Sequence, residues 1–482
     1  MGYYSDKYES VIGLEVHAQL LTNSKLFCSD SIAFGAEPNT QISPISLAYP
    51  GTLPKLNEAA IELAVRLGLA CGCEIEERNY FARKHYFYPD LPKGYQISQH
   101  TTPICKGGTV TITTSEGERV VQLNRIHLEE DAGKSVHDLY ENYSAIDYNR
   151  AGVPLVEIVT EPDMHNGEEA AAYLTKLRAL VRELGVCDGN MEEGSMRCDA
   201  NISIRPVGSK ELGTKAEVKN LNSIRFLKKA IDYEVGRMIA LVEKGEKVLQ
   251  ETRSFDSDNE TTFSIRTKED ANDYRYFTDP DLPAFVVTES FKQKIRASLP
   301  ELSGDRKQRL ITQYGLNEKD AVRMAPDKEW VAYFEMASNK GTYSQQTANW
   351  MLGPIRSYLN DTDLSIQDLL LTPSLLTRLI QLVEEGMVSH TTAAQKLFPV
   401  LVKEGGDPLS IAESLNLIQD RNTDSLAVLV ENVLNRMPGK VQEYKKGKKG
   451  LIGLFVGEVM KESKGKADPK LLNQLISEAL NK

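Results

Sequence analysis

The sequence predicts an α+β protein, with an N-terminal domain built on an antiparallel sheet and helical domains after it. The chain has 482 residues, which is too many for one hydrophobic core, so two to four domains are expected. Up to about residue 293, short alternating strands and Gly and Pro turns dominate. After residues 298–304 (SLPELSG), the hydrophobic pattern becomes helical.

The first strand is VIGLEVHAQL, residues 11–20. Its apolar residues fall on every second position, which is typical of a half-buried strand. The opposite face carries Glu15, His17 and Gln19. Glu15 and His17 then lie about 7 Å apart on one face, and a carboxylate paired with an imidazole there suggests chemistry.

Further strands extend this polar face. Residues 109–130 predict a hairpin that turns at Glu116–Gly117 and continues as strand. Residues 194–205 alternate cleanly between apolar and polar positions, and residues 215–223 continue the pattern. Residues 167–185 predict a helix that ends at a glycine cap. The sequence therefore predicts an antiparallel sheet with helices and one unusually polar face.

The C-terminal part carries helix signals. Residues 372–386 open with a threonine cap and a proline at the first position. Residues 390–406 end at a Gly-Gly pair, which we interpret as a hinge, and residues 468–480 form another helix capped by Asp468. We expect three domains: residues 1–293, 294–406 and 407–482.

Composition excludes several classes of protein. Apolar residues make up 41% and charged residues 26%, as in ordinary globular proteins. No run of 18 apolar residues suggests a membrane span, and the N-terminal residues MGYYSDKYES resemble no targeting signal. Six cysteines, scattered along the chain, indicate a reducing compartment, so we expect a cytoplasmic protein.

The distribution of charge leaves two interpretations open. A net charge of −11 argues against a protein coated in nucleic acid. Residues 436–470, however, contain ten Lys and Arg against four Asp and Glu. This segment is either a solvated face of a helical domain or a contact patch for a phosphate backbone.

Several tempting motifs fail. Residues 129–135 (EEDAGKS) end like a phosphate-binding loop, but Leu128 stands where the loop needs its first glycine. Cys71 and Cys73 lack a second pair at metal-ligand spacing. We find no glutaminase cysteine, amidase serine stretch or G-x-S-x-G turn, so no nucleophile for releasing ammonia is evident.

Carboxylates accumulate on the polar strand faces together with one imidazole. Such oxygen-rich clusters suit a hard divalent ion, Mg²⁺ or Mn²⁺, especially one shared with nucleotide phosphates. The alternative is that these strands simply face water. The residues concerned are Glu15, His17, Glu129, Glu130, Asp199 and Glu217.

Longer motifs resemble one family. Residues 146–162 (IDYNRAGVPLVEIVTEP) fit its signature closely. Equally characteristic are VIGLEVH, FGAEPN, YPGTLP, YFYPDLPKGYQISQ, HLEEDAGKS, EEGSMRCDANIS, KAEVKNLNS and DYRYF. On these motifs the chain resembles, essentially end to end, the B subunits of bacterial aspartyl/glutamyl-tRNA amidotransferases.

The resemblance implies a role in a heterotrimer that acts on glutamate wrongly attached to tRNA(Gln), and often on aspartate attached to tRNA(Asn). The amidase partner, which is the A subunit, would release ammonia from glutamine, beside a small C subunit. The non-discriminating aminoacyl-tRNA synthetase is a further implied partner. The B subunit would activate the side-chain carboxylate with ATP and Mg²⁺ as an acyl phosphate. The N-terminal domain would then be a cradle that resembles the catalytic fold of glutamine synthetase.

The resemblance also implies roles for individual residues. Glu15, His17 and Glu130 match positions tied to the metal, and we expect these three to converge on one Mg²⁺ site. Lys84 and Lys93 match basic positions at the ammonia path and the reaction centre. The complete catalytic set that we expect is Glu129, Glu130, Lys84, Lys93, Asp199 and Glu217.

One departure concerns zinc. Many family members carry a zinc site built from C-x-C and, a dozen residues on, C-x₂-C. Here Cys28 is kept, while Asp30, Ser43 and Ser46 stand at the other three positions. Since one thiolate cannot hold a structural zinc ion, we predict no zinc in this chain.

The basic segment gains a role from the resemblance, because the family ends in a helical domain and a tail that grips tRNA. Shape recognition through phosphates suits a tail that accepts more than one tRNA. The expected tRNA-binding residues are Lys445, Lys446, Lys448, Lys449, Lys464 and Lys466.

Two rival functions stay open. In one, the chain is a non-catalytic tRNA-binding scaffold and the amidase does all the chemistry. In the other, it is a free-standing metal-dependent ATPase, which is disfavoured because no motif of the known nucleotide folds is present. Activity of the isolated chain with ammonium and ATP separates the scaffold from the enzyme.

Overall fold

The computed structural model describes residues 6–137, 139–267, 274–419, 423–463, 467 and 469–481. It divides into two compact units, Met1–Pro300 and Glu301–Lys482. The first unit contains the strands, and the regular elements among the described residues of the second are helices. The predicted α+β class with a helical C-terminal part is therefore confirmed. The finer division into three domains stays a prediction.

Seventeen strands are present among the described residues. They are β1 (Tyr8–Gln19), β2 (Glu74–Ile75), β3 (Arg78–Asn79), β4 (Ala82–His85), β5 (Tyr95–Ser98), β6 (Cys105–Lys106), β7 (Thr109–Thr114), β8 (Gly117–Glu130), β9 (Lys134–Val136), β10 (Ala145–Asp147), β11 (Pro154–Thr160), β12 (Met196–Pro206), β13 (Ala216–Leu221), β14 (Glu251–Asp256), β15 (Thr261–Thr267), β16 (Phe277–Thr278) and β17 (Phe285–Val286).

Most of these strands join one sheet. Its order is β15-β14-β13-β12-β1-β11-β8-β5-β4-β16, with β6 and β7 also paired to β8 and β2 paired to β6. Neighbours run antiparallel except β13 and β14, which are parallel. The pairs β9–β10 and β3–β17 form two small separate sheets.

Strand β1 lies at the centre of this sheet and shows why the site forms there. Its residues Ile12, Leu14, Val16 and Ala18 are fully buried, as the alternation predicts. Burial of that apolar row fixes the register, since a slip of one residue would turn it outward. The polar row between these residues is thereby fixed on the opposite face.

The described residues of the first unit form four helices: α1 (Glu58–Ala70), α2 (Gly167–Glu183), α3 (Ile224–Glu243) and α4 (Glu289–Ser298). Helix α2 contacts α3 and β7, and α3 contacts β12. Both helices have side-chain caps, Asn166 on the Glu169 N–H and Ser223 on the Phe226 N–H. These helices cover apolar residues of the sheet and leave the polar face accessible.

The second unit contains the helices α5 (Ser303–Tyr314), α6 (Glu318–Met324), α7 (Lys328–Ala337), α8 (Ser344–Trp350), α9 (Arg356–Thr362), α10 (Pro373–Glu384), α11 (His390–Thr392), α12 (Phe398–Glu404), α13 (Pro408–Ser414), α14 (Thr423–Arg436), α15 (Pro438–Lys445), α16 (Ile452–Glu462) and α17 (Pro469–Asn481). Short π-helical turns precede α9 and α12.

The part of the second unit that the structure describes contains two hydrophobic cores. One includes Trp350 and extends to Ala412, and the other extends from Leu426 to Leu480. Helices α13 and α10 are in contact, so residues 408–414 belong to the first of these cores. None of the helices among the described residues combines the length and apolar character that a membrane span requires.

Several predicted element ends agree with the structure and one differs. Thr372 caps α10 through the Leu375 N–H, with Pro373 at the first position, as predicted. The β7–β8 hairpin pairs Thr114 with Gly117, so its two-residue turn begins one residue earlier than predicted. Gly117, at φ +120°, begins the second strand instead of lying in the turn. The predicted cap Asp468 lies outside the described residues.

Candidate active site

A cleft of about 440 Å³ lies on the polar face of the large sheet. Most of its charged and imidazole side chains come from five adjacent strands. They are Glu15 and His17 of β1, Glu157 of β11, Arg125, His127 and Glu129 of β8, Arg197 and Asp199 of β12, and Glu217 and Lys219 of β13, joined by Lys84 of β4, Arg266 of β15, and His100 and Asp131 just beyond strands β5 and β8.

Strand register explains why these residues meet. His17 lies opposite Glu157 of β11 on one side and Arg197 of β12 on the other. Glu157 in turn lies opposite His127 of β8. Side chains directly opposite one another in antiparallel strands are close neighbours. One row across the sheet therefore places the Glu157 carboxylate between two imidazoles, with Arg197 next to His17 on the other side.

The centre of the cleft is a cluster that we call the central trio: His17, Glu129 and Glu157. One potential ligand atom from each lies within 4.8 Å of the other two. The His17 Nε2 atom is 3.5 Å from Glu157 Oε2 and 3.8 Å from Glu129 Oε1. One imidazole and two carboxylates form a donor set that suits Mg²⁺ or Mn²⁺. The residues present thus fit a divalent cation.

His127 supports the central trio from within the sheet. Its Nε2 atom is 3.5 Å from Glu157 Oε2 and 3.6 Å from Glu129 Oε2. The side chain is buried, and its Nδ1 atom is among the buried polar atoms of the described residues that have no hydrogen-bond partner. His127 therefore lies close to the same two carboxylates as His17, with Glu157 between the two imidazoles.

The pKa values reflect this mutual stabilisation. Burial alone would lower the pKa of His17, but the hydrogen bond to Glu157 and the charges of Glu157 and Glu129 raise it to about 9. Burial likewise opposes ionisation of Glu157, yet His127 and His17 hold the pKa of that carboxyl well below its usual range. Burial also opposes ionisation of Glu129, but the hydrogen bond from His127 leads the interactions that lower its pKa. Both carboxylates are thus kept ionised in a buried place.

Glu130 lies elsewhere, which corrects the expectation that Glu15, His17 and Glu130 converge. Consecutive residues of a strand point to opposite faces of the sheet, so Glu129 faces the cleft and Glu130 faces away. The Glu130 carboxylate accepts hydrogen bonds from Lys93 Nζ at 2.5 Å and from the Ile97 N–H at 2.9 Å. It lines a separate cavity of about 220 Å³.

Glu15, Asp199 and Glu217 occupy another part of the cleft. Lys219 Nζ lies 2.8 Å from Asp199 Oδ2 and 2.8 Å from Glu217 Oε1. Glu15 accepts a hydrogen bond from Asn201 at 2.8 Å. Burial and the charge of Glu157 raise the pKa of Glu15. The structure thus brings these three predicted carboxylates into one cleft, with Lys219 as their counter-charge.

The two predicted lysines lie on different sides of the sheet. Lys84 lines the cleft, with its Nζ atom 5.0 Å from the centre of the Tyr274 ring. Burial alone would lower the pKa of Lys84, but Glu129 and Tyr276 lead the interactions that raise it. Lys93 lines the cavity beside Glu130.

The sequence reasoning missed Glu157, His127 and Lys219 as site residues. Glu157 is the one charged residue of β11, in a strand that is otherwise apolar up to Thr160, and that isolation was the available signal. His127 alternates with Glu129 along β8, as His17 does with Glu15 along β1. Lys219 was on the predicted polar face but was not assigned a role.

The four positions that correspond to zinc ligands in the resembled family lie close together. They are Cys28, Asp30, Ser43 and Ser46. The Cys28 thiol donates to Asp30 Oδ2 at 3.2 Å, and the Ser46 hydroxyl donates to the same oxygen at 2.6 Å. The Ser43 N–H donates to the Ser46 hydroxyl oxygen at 2.9 Å. Burial raises the pKa of Cys28 to about 11, so the thiol stays protonated. Hydrogen bonds therefore connect these positions directly.

The predicted tRNA-binding lysines that the structure describes lie at one turn. Lys445 ends α15, and Lys449 begins a short 3₁₀ turn before α16. All four of Lys445, Lys446, Lys448 and Lys449 are exposed. We call residues 445–449 the basic loop. Lys464 and Lys466 lie outside the described residues.

Comparisons with known proteins agree with this architecture. Residues 10–293 match the family model described as "GatB/GatE catalytic domain", and residues 332–480 match "GatB domain". The chain thus pairs a catalytic-domain type with a helical domain that accompanies it.

Curated relatives extend over nearly the whole chain. A protein of Thermodesulfovibrio yellowstonii is 48% identical, over 98% of this chain and 99% of its own length. One from Geotalea uraniireducens is 48% identical over 98% of this chain and 100% of its own, and one from Synechococcus is 47% identical over 98% of both. Each is named as the B subunit of aspartyl/glutamyl-tRNA(Asn/Gln) amidotransferase. The chain belongs to this family of B subunits.

Proposed function

We propose that this chain is the activating member of a cytoplasmic heterotrimer that amidates Glu-tRNA(Gln), Asp-tRNA(Asn) or both, with ATP and Mg²⁺. The observation that carries the proposal is the central trio of His17, Glu129 and Glu157, largely buried in a cleft that also contains Lys84. Such a site can bring two anions, a carboxylate and a polyphosphate, close together.

The reaction that fits has two steps. An oxygen of the substrate side-chain carboxylate attacks the γ-phosphorus of ATP, and the bond to ADP breaks. Ammonia then attacks the carbonyl carbon of the acyl phosphate, inorganic phosphate leaves with one former carboxylate oxygen, and the nitrogen loses one proton. Phosphorylation is needed because a carboxylate by itself has no good leaving group.

The chain's own residues would supply charge and position. Lys84 contributes positive charge beside the two carboxylates of the trio, and Lys219 holds Asp199 and Glu217 in place. His17, Glu129 and Glu157 would hold Mg²⁺, with Glu15 as a neighbour. A bound Mg²⁺ would neutralise phosphate charge.

Ammonia would come from another protein of the heterotrimer, since no nucleophile for glutamine hydrolysis is evident in this sequence. We propose that the amidase, which is the A subunit, is this source and that a small C subunit is the third partner. The non-discriminating aminoacyl-tRNA synthetase would be a transient partner. The cavity with Lys93 and Glu130 lies on the face opposite to the cleft, which suits an ammonia path.

Oxygen transfer tests the reaction. Glu-tRNA(Gln) carrying ¹⁸O in the side-chain carboxylate should yield ¹⁸O-labelled phosphate when the heterotrimer is given ATP and ammonium chloride. The His17→Ala variant of this chain should abolish labelling while the amidase still hydrolyses glutamine. Unlabelled phosphate, or labelling that persists in the variant, would favour the non-catalytic scaffold.

The basic loop of the second unit would provide a further contact for tRNA. Its lysines are exposed and surround Gly447, where the backbone has φ +106°. Phosphate contacts of this kind give affinity without reading sequence, as a protein with two tRNA substrates requires.

The absence of zinc stays a prediction. The Asp30 carboxylate already accepts hydrogen bonds from Cys28 and Ser46, and Cys28 stays a thiol. Elemental analysis of metal-replete protein should find far less than one zinc per chain. Stoichiometric zinc that resists a chelator would contradict this prediction.

A further inference from the structure

Lys25 is a buried lysine to which the reaction above assigns no role. It has 0% exposure and lines the cavity of about 220 Å³ together with Lys93 and Glu130. Its Nζ atom donates to the Tyr148 carbonyl oxygen at 3.2 Å. That is the one hydrogen bond of this ammonium group within the described residues, although an ammonium has three N–H donors.

The surrounding backbone is arranged around this side chain. Gly152 has φ +87°, and a Cβ there would lie 3.4 Å from Lys25 Cδ and 3.8 Å from Glu130 Oε2. The Lys25 N–H also donates to the Asp30 carbonyl oxygen, which fixes the start of the side chain. The backbone thus packs closely around this long side chain at the boundary of the cavity.

A purely structural role explains this arrangement poorly. Burying an ammonium with few acceptors costs stability, and an apolar side chain of similar length would avoid that cost. The Lys93 ammonium is already paired with the Glu130 carboxylate. Within the described residues Lys25 therefore has N–H donors beyond the one that Tyr148 accepts, at the boundary of the cavity.

The sheet between the cavity and the cleft is incompletely closed by backbone pairing. Strands β5 and β8 pair through Ser98 and Glu129. Beyond that pair, hydrogen bonds between backbone and side chains replace the backbone ladder. The Ile97 N–H donates to Glu130 Oε1, and Gln96 Nε2 donates to the Glu130 carbonyl oxygen. Gln96 lines the cleft, whereas Ile97 lines the cavity. Side-chain movement at this seam could connect the two spaces without breaking a strand ladder.

We propose that Lys25 makes this cavity selective for neutral ammonia over ammonium ion. The inference rests on the proposed function, in which ammonia crosses from a partner protein to the cleft. Neutral ammonia has a lone pair and can accept a hydrogen bond from the Lys25 ammonium. Ammonium ion has no lone pair and carries the same charge as Lys25, so it is both unbonded and repelled.

The charged groups near Lys25 do not reverse this preference. Burial lowers the pKa of Lys25, as does the charge of Lys93, while Cys28, Asp30 and Glu130 act in the opposite direction. If Lys25 loses its proton, its amine can take one from ammonium, which again leaves neutral ammonia. Asp281, which also lines the cavity, is paired with Arg83 at 2.6 Å.

The test uses the complete heterotrimer with Lys25→Met in this chain, and Lys55→Met, at an exposed lysine, as the matched control. The readout is amide formed per glutamate released from glutamine. We expect this ratio to fall by roughly tenfold, the factor commonly lost with a hydrogen bond to a charged group. Amidation with saturating ammonium chloride should stay within about twofold of the parent, because ammonia can also enter the cleft from solvent.

The melting temperature distinguishes a functional lysine from a structural one. Removing a poorly paired buried charge should leave it unchanged or raise it. If Lys25→Met melts at a lower temperature than the parent, Lys25→Gln is measured in the same way. Its ratio of amide formed to glutamate released should lie between those of the parent and Lys25→Met. An unchanged ratio in a folded variant, or loss of folding in both variants, overturns the proposal. Failure of the parent to form amide with either donor would instead overturn the proposed function.

Discussion

The cleft and the basic loop are both rich in charge, but they hold it in opposite ways. In the cleft, Glu129 and Glu157 are largely buried and each is held by two histidines. In the basic loop the lysines are exposed, with Lys448 Nζ 3.1 Å from Glu443 and Lys449 Nζ 4.3 Å from the centre of the Tyr444 ring. Buried charge is fixed by strand register, whereas exposed charge is mobile and screened by salt. The first suits chemistry, and the second suits contact with a polyanion.

The largest effect on amidation is expected at Glu129, which faces the cleft, whereas its neighbour Glu130 faces the other side of the sheet. Glu129→Gln should lower amidation with external ammonium by about 10²- to 10³-fold, because it removes a charge from the central trio. It should also raise the Mg²⁺ concentration needed for half-maximal rate. The measurement is a Mg²⁺ titration of the heterotrimer with Glu-tRNA(Gln) and ATP.

Glu130→Gln is the matched comparison, with the same chemical change one residue further along β8. Its half-maximal Mg²⁺ concentration should equal that of the parent, because Glu130 lies in the cavity beside Lys93. Glu193→Gln, an exposed position, controls for general effects. A Mg²⁺ requirement that shifts with Glu130→Gln and not with Glu129→Gln would restore the original expectation that Glu130 binds the metal.

This pair of residues shows how far the sequence leads. Alternation in β1 predicted that Glu15 and His17 share a face, and the structure confirms that both line the cleft. Alternation in residues 117–130 also implied that Glu129 and Glu130 face opposite ways, but the resemblance favoured Glu130. Which strands neighbour β1 depends on contacts with residues 154–206, more than a hundred positions away. Local pattern does not encode those contacts, so Glu157 and His127 were missed.

Breaking a buried ion pair should lower the free energy of unfolding, whereas replacing the exposed lysines of the basic loop should not. Asp131 is buried and accepts hydrogen bonds from Arg197 at 2.8 Å and from Gln19 at 2.8 Å. Asp131→Asn leaves the Arg197 guanidinium without its charge partner, which should cost about 3–5 kcal/mol in the free energy of unfolding. Urea unfolding, followed by far-ultraviolet circular dichroism at pH 7, measures this.

The pH dependence of that cost gives an independent check. Burial opposes ionisation of Asp131, but Arg197 and Arg150 hold the pKa of its carboxyl below the usual range. A carboxyl group of this kind stabilises the fold above its unfolded pKa, about 3.9, and loses that contribution as pH falls through the folded value. The deficit of Asp131→Asn relative to the parent should therefore shrink on acidification below about pH 4. A deficit that stays constant down to about pH 3, well into that window, would mean that the ion pair is not its cause.

A smaller effect, on binding alone, is expected at the basic loop. Replacing Lys445, Lys446, Lys448 and Lys449 by Ala should weaken tRNA binding and reduce the slope of log affinity against log salt by about 0.7–0.9 per lost contact. The free energy of unfolding and the ATP-dependent chemistry should be unaffected. The measurement is tRNA affinity of the heterotrimer over a range of salt concentrations.

The matched control replaces four other exposed lysines of the helical unit, Lys319, Lys328, Lys340 and Lys403. The same change in net charge at these positions should leave the salt slope as it is in the parent. Equal slopes for both quadruple variants would mean that the basic loop is a solvated face and that tRNA is held elsewhere.

The smallest effect is expected at Glu443, a carboxylate beside the basic loop that would compete with tRNA phosphates for Lys448. Glu443 lies 3.1 Å from Lys448 Nζ and 3.1 Å from Lys440 Nζ. If these lysines contact tRNA, Glu443→Gln should strengthen binding by no more than about fivefold, since exposed ion pairs are weak. The gain should be seen at low salt and vanish as salt rises, because screening removes the competition first. Affinity that falls in the variant would show that Glu443 positions Lys448 for tRNA instead of competing for it.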